Sequence, residues 1–262
     1  MNKYYYDKKS AAKAIGFIEQ FVTHTKGELS GQKLILESWQ KKIVGDIFGW
    51  KDKKTKLRKY RTVFIEVPRK NGKSTLCAAI GLYMLFADEE RGSEVYSAAG
   101  DRAQAGIVFE IAKGMILQSP ELSQRGKAFR NSIVNESKGN FYQAISSDSK
   151  TKHGFNANCI IFDELHTQPN RDLWDTLVTS TGSRRQPLTI AITTAGYDKQ
   201  SICYEVYSYA KKVSENVISD DSFYSVIYET TDEDITLEST WIKANPNYGI
   251  SLKKEYMERE AQ

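Results

Sequence analysis

Three short runs in this chain bring together residue types that could do chemistry on a phosphate. The first, Arg69-Lys70-Asn71-Gly72-Lys73-Ser74-Thr75, sets a lysine and two hydroxyls directly behind a glycine. Successive backbone N–H groups in such a loop wrap phosphate oxygens, and the helix that follows adds a favourable field at its N-terminus. Lys73 would neutralise the phosphates and the Ser74 hydroxyl would hold a magnesium ion. A glycine ordinarily stands five positions before Gly72, and here Val67 takes its place. That change relaxes the turn geometry, while Arg69 and Lys70 add positive charge that a phosphate site can use.

The second run is "CIIFDELH", Cys159 to His166. An apolar stretch delivers two acids at its end, a costly placement for unpaired carboxylates. Asp163 would hold the magnesium water shell, and Glu164 would polarise a water for in-line attack on a γ-phosphate. The third run, "TTAG", ends another apolar stretch with Thr193, Thr194 and Gly196. Its hydroxyls could sense the γ-phosphate; a plain strand end is the competing reading. Trp39 and Gln40, in "LILESWQKKIV", could stack on and hydrogen-bond an adenine, although the residues by themselves favour an amphipathic core helix.

These runs need a scaffold, and the apolar periodicity supplies one. Tyr60 to Val67 alternates β-branched and aromatic residues and reads as a strand that Pro68 stops. Leu76, Ala79, Ile80, Tyr83, Met84 and Ala87 then recur at helical spacing. Strand, loop, helix is the context a phosphate loop requires. The unit repeats as a strand over Glu94 to Ala99 and a helix with Val108, Ile111, Ala112 and Met115 inward, stopped by Pro120. "CIIFDE" and "LTIAITTAG" have continuous apolar cores, as strands buried on both faces of a parallel sheet do. The fold class is therefore α/β. "FRNSIV" and "NFYQAIS" suggest an antiparallel pair at an edge. Near the end, Asn245-Pro246-Asn247 reads as a turn, followed by a helix opened by Ser251 that stops with the chain at Gln262.

At 262 residues the chain suits one large domain, and 27% charged residues is ordinary for a globular protein, which sets disorder aside. No signal-peptide run and no bilayer-length apolar segment appears, which points to a cytoplasmic protein with no membrane partner. Cys77, Cys159 and Cys203 lack paired spacing and read as core thiols. His24, His153 and His166 are scattered, so a histidine-built metal site is not expected.

Together these residues resemble the ATPase domain of the large terminase subunit of tailed bacteriophages, the motor that packages DNA into proheads. The resemblance spans essentially the whole chain. It rests on "FIEQFVTHTKGELSGQKLILESWQKKIVGDIFGW", "PRKNGKST", "HGFNANCIIFDELH", "TTAG" and "WIKANPNYGIS". It implies a P-loop NTPase of ASCE type with a RecA-like, mainly parallel sheet flanked by helices, using ATP and Mg2+. It further implies that Arg69 to Thr75 form the Walker A loop, binding nucleotide through Arg69, Lys70, Asn71, Gly72, Lys73, Ser74 and Thr75. Asp163 becomes the magnesium-side Walker B acid, Glu164 the catalytic base, Thr193 to Gly196 the coupling motif, and Trp39-Gln40 part of the adenine-side segment. The family's usual loop departs from the common pattern as Val67 does. Residues 1–240 would form the motor domain, with 1–58 as the adenine-side segment, and 241–262 would begin a linker toward a nuclease domain that this sequence stops short of. The acids Asp220, Asp221, Asp232, Glu233 and Asp234 form no strand-borne cluster, so nuclease activity is not expected of these residues. Implied partners are double-stranded DNA, a homo-oligomeric ring on the prohead portal and the small terminase subunit, in the cytoplasm of an infected bacterial cell.

The nearest rival is a DExH-type helicase half-domain, which "DELH" and "TTAG" also fit; a small-molecule phosphotransferase and a DNA-binding module built on "WKDKKTKLRKYR" are more distant. That basic run reads better as a solvated loop. Finally, Arg184 or Arg185 of "TGSRRQP" lies in a loop expected to protrude, and either is a candidate finger for the γ-phosphate of an adjacent subunit; Arg69 in its own chain and Lys152 are the alternatives.

Overall fold

In the computed structural model, which describes residues 3–147, 154–231 and 234–261, side-chain alternation along the central strands builds two cores, one on each face of a sheet. Val63, Ile65, Ile161, Ile190 and Ile192 face one core, whereas Phe64, Ile160, Phe162 and Ala191 face the other. Both faces are therefore covered, as the continuous apolar strands require.

The chain opens with a two-stranded antiparallel ribbon of β1 (Tyr4–Tyr6) and β2 (Trp50–Asp52), between which lie α1 (Lys8–Phe21) and α2 (Ser38–Gly49). There follow β3 (Thr62–Glu66), α3 (Lys73–Phe86), β4 (Glu94–Ala99), α4 (Arg102–Gln118), the short α5 (Pro120–Ser123), β5 (Lys127–Ala128), β6 (Ser132–Asn135), β7 (Asn140–Ser146) and β8 (Ala157–Asp163). The last third comprises α6 (Asp172–Thr179), β9 (Leu188–Thr193), α7 (Ile202–Ser214), β10 (Phe223–Ile227), α8 (Glu238–Ala244) and α9 (Lys254–Glu260).

The main sheet runs β10-β3-β9-β8-β4-β7-β6-β5. It is parallel from β10 to β7 and antiparallel at the β7-β6-β5 edge. The expected edge hairpin is thus β6 with β7. One consequence of this order matters for chemistry. The chain leaves β3 by α3, passes over two strand positions to β4, and returns to fill them with β8 and β9, so β9 lies between the phosphate-loop strand and the acidic strand. The carboxyl ends of β3, β9 and β8 come side by side, which is where ligands bind in open α/β sheets.

Several boundaries differ from expectation for identifiable reasons. The acidic strand ends at Asp163 because Glu164 turns into a left-handed conformation, φ 51° and ψ 55°. Strand β9 stops at Thr193, leaving Thr194 to Gly196 in a loop. Pro120 does not merely stop a helix; it is the first residue of α5, capped by the Ser119 hydroxyl. Ser251 does not cap the last helix, whose N-cap is Lys253; its hydroxyl is engaged elsewhere. Cys77, Cys159 and Cys203 are buried free thiols, as expected.

Candidate active site

Val67 shows how the loop does without its first glycine. It is fully buried, and its N–H donates to the Thr193 carbonyl at 3.1 Å, so it extends β3 rather than opening the turn. The bend is made further on by Lys70 (φ 68°) and Gly72 (φ 80°). A lysine in the left-handed region costs about 1–2 kcal/mol, which its surroundings must offset.

At the start of α3, Lys73 is buried with its ammonium 3.5 Å from Glu164 Oε1. The neighbouring Ser74 hydroxyl donates to Asp163 Oδ2 at 2.8 Å. Asp163 is itself 4% exposed, and burial pushes its carboxyl up to about 6 against the opposing pull of Ser74 and Lys73. A hydroxyl and a carboxylate sharing a hydrogen bond, with an acid that lacks enough positive charge, are oxygen donors suited to a hard divalent cation, so these residues fit magnesium.

Glu164 is held from three sides. Besides Lys73, its Oε2 lies 3.4 Å from His166 Nδ1 and accepts a long 3.5 Å bond from the Thr194 hydroxyl. His166 Nδ1 is also 2.9 Å from the hydroxyl of fully buried Thr193. Burial lowers the basicity of His166, and the nearby charges of Lys73 and Arg69 lower it further while Glu164 opposes. The turn carrying these groups is tied by Thr167, whose N–H and hydroxyl both donate to the Glu164 carbonyl. Gly100 packs on that turn so closely that a Cβ would sit 2.3 Å from the Thr167 carbonyl oxygen. His166 joins the site although the sequence displays it only as one of three scattered histidines. Its position two residues after the catalytic candidate, on a turn rather than a strand, was the available signal.

The other expected site residues sort differently. Arg69 is exposed on the loop and near enough to influence His166. Trp39 and Gln40 flank the loop but are largely committed within the protein: the Trp39 indole N–H donates to Asn247 Oδ1 at 2.6 Å, and Gln40 accepts the Glu37 N–H at the start of α2. Asn71 is wholly buried and bonds to Asn245 and Asn247. Thr75 is half-buried behind Ser74.

Arg184 is a correction. Its guanidinium donates to the Asn156 carbonyl at 2.8 Å and the Gly92 carbonyl at 2.6 Å, with Glu90 and Glu94 beside it. It is a staple between the segments entering β4 and β8, not a protruding finger. Arg185 is exposed and precedes β9, whose length puts it roughly 20 Å from the carboxyl edge of its own chain, so a finger role for it is confined to the site of an adjacent subunit. Lys152, His153, Asp232 and Glu233 lie outside the described residues. Arg58, counted in the basic run, is buried and paired with Asp88 at 3.2 Å, whereas Lys53, Lys54 and Lys56 are exposed. Among the described residues no cluster of three or more His, Cys, Asp or Glu side chains is arranged to hold a metal, and no helix is long and apolar enough to cross a membrane.

Residues 38–212 match the family model of the terminase large subunit, ATPase domain. Over 95% of its length the chain is 29% identical to the large terminase subunit of Enterobacteria phage HK97 and 24% identical to that of Lactococcus phage SK1. The crystal structure of the HK97 large terminase superposes with a TM-score of 0.82 at 26% identity, covering 96% of this chain and 50% of that one. The ATPase domain of the Thermus phage P74-26 large terminase shares the fold at a TM-score of 0.50 and 17% identity, covering 63% of this chain and 74% of that one. The chain spans about half the length of the curated relatives it matches. The family match and the likeness to the HK97 protein place the chain among terminase ATPase domains rather than helicase half-domains.

Proposed function

This chain belongs to the family of terminase large-subunit ATPase domains, and we propose that it hydrolyses ATP to drive double-stranded viral DNA into a prohead. The observation that carries the reading is the convergence of Lys73, Ser74, Asp163 and Glu164 at the carboxyl ends of adjacent strands, with the Ser74 hydroxyl bonded to Asp163 at 2.8 Å. On this reading the backbone of the loop from Arg69 to Thr75 cradles the phosphates, and Lys73 exchanges its ion pair with Glu164 for a contact with the terminal phosphate. Ser74 and Asp163 would hold a magnesium ion, which would supply neutralisation of charge on the transferring phosphoryl group. Glu164, released from Lys73 but still touched by Thr194 and His166, takes a proton from a water whose oxygen bonds to the γ-phosphorus as the bond to ADP breaks. Thr193 and Thr194 connect that event to β9. Arg69, exposed beside the site, is the better placed arginine for stabilising the transferring group.

The same proposal extends to a ring of like subunits on the portal and the small terminase subunit as partners, working in the cytoplasm of an infected bacterial cell. Two variants test the catalytic core. Lys73→Ala should abolish binding of a labelled ATP analogue. Glu164→Gln should retain binding while turnover falls about 10²–10⁴-fold. Parent-level hydrolysis by Glu164→Gln would assign the base elsewhere, and unchanged binding by Lys73→Ala would remove the nucleotide from this loop.

A further inference from the structure

The phosphate loop is held from outside by a segment almost at the other end of the chain. Asn71 is the centre of the contact. Its side-chain amide donates to Asn245 Oδ1 at 3.0 Å and also closes its own loop on the Pro68 and Arg69 carbonyls at 3.1 and 3.2 Å. Its Oδ1 accepts the Asn247 backbone N–H at 2.9 Å, and its carbonyl accepts from the Asn247 amide at 3.4 Å. One residue earlier, the Lys70 carbonyl accepts the Ser251 hydroxyl at 2.6 Å. Asn247 is fixed in turn by the Trp39 indole, which donates to its Oδ1, and by its own amide bond to Ser251 at 3.1 Å. Asn71, Asn245 and Asn247 are all at least 94% buried.

Buried amides are costly unless paired, and here the pairing is long-range and converges on Asn71 and on the carbonyl of Lys70, at and beside the residues that shape the loop. Lys70 and Gly72 carry its positive φ angles; Ser251 fastens the carbonyl of the first, and the Asn247 amide lies 3.8 Å from where a Cβ on the second would stand. A left-handed lysine persists only where its surroundings over-determine it, and this turn supplies that constraint. We propose that Asn245, Asn247 and Ser251 are positioning residues that preset the phosphate loop in its anion-binding shape, acting through Asn71 and Lys70. The inference rests on the loop being a nucleotide site. It makes phosphate binding depend on a segment lying between α8 and α9, so a pull on α9 changes affinity at the loop.

Ser251 is exposed, so the full chain with Ser251→Ala should fold normally, and it gives the first readout. We expect a several-fold higher Kd for an ATP analogue, a KM raised by a similar factor, an unchanged kcat and an unchanged melting temperature without nucleotide. Ser251→Thr, which keeps the hydroxyl, should restore the affinity. Asn247→Ala, which loses the amide bonds to Asn71 and Ser251 and the acceptor of the Trp39 indole, should weaken binding by roughly 10–100-fold through the loss of these net hydrogen bonds. Lys73→Ala serves as the control. If it abolishes binding while Ser251→Ala and Asn247→Ala bind like the parent, the positioning role is wrong and the nucleotide site stands. If Lys73→Ala binds normally, the nucleotide reading itself has failed. A Ser251→Ala protein that loses kcat and melting temperature together, without rescue by threonine, would mark the contact as structural only and overturn the proposal.

Discussion

Glu66 ends β3 one residue before Val67, with only 6% of its surface exposed. Burial pushes its carboxyl up to about 7 from an ordinary 4.5; the Glu229 carboxylate adds to the rise and Lys211 opposes it. Lys211 is already paired with Glu229 at 2.7 Å, which limits its help. Between pH 4.5 and 7 the folded chain therefore keeps a proton that the unfolded chain has lost. Stability contributed by this residue is fully present below 4.5 and falls as pH rises through 7. At 1.36 kcal/mol per unit, the penalty above pH 8 approaches about 3 kcal/mol. Glu66→Gln removes it, since a neutral amide has no charge to desolvate and is not repelled by the Glu229 carboxylate. For a domain of this size 1 kcal/mol moves the melting temperature about 2–4 °C, so the variant should melt roughly 6–12 °C above the parent at pH 8. The gain should shrink through pH 6 and vanish near pH 4.5. Thermal melts by circular dichroism across that range check it. A Glu66→Gln protein no more stable than the parent at pH 8, or one with the same advantage at every pH, would refute the assignment of a buried, proton-retaining carboxyl.

Three further variants separate the site from its scaffold. His166→Ala should lower kcat about tenfold while leaving Kd for an ATP analogue near the parent value, because the ring touches Glu164 and Thr193; single-turnover assays separate the two. Arg184→Ala should lower the melting temperature by several degrees, as the carbonyls of Asn156 and Gly92 lose a charged donor, yet leave the turnover of folded protein intact, whereas Arg69→Ala should reduce turnover with little change in melting. An Arg184→Ala protein that folds as the parent does but is inactive would return that residue to a finger role.

The parts legible in the sequence were those written as local pattern. Alternation and helical spacing located β3, α3, β4, β8 and β9, because each buries a continuous apolar set whose period the chain displays directly. Lys73, Ser74, Asp163 and Glu164 were legible too, since strand ends and helix starts fix where such residues can lie. Hidden were the contacts that only the sheet order creates. A strand filled in late between β3 and β8 is not visible along the chain, so Thr193 could be placed at a strand end but not beside His166. The loop of Arg184 read as free for the same reason: its guanidinium is satisfied by carbonyls of segments entering β4 and β8, and carbonyls carry no sequence signature. Asn245, Pro246 and Asn247 were read correctly as a turn, the local half of their meaning. The other half, amides reaching Asn71 across 174 and 176 positions, depends on one buried polar group finding another. It follows that the residues most informative about how this loop is controlled are those whose type was explained most easily by local geometry, and an asparagine in a turn next to a helix end is a place to look for a second bond.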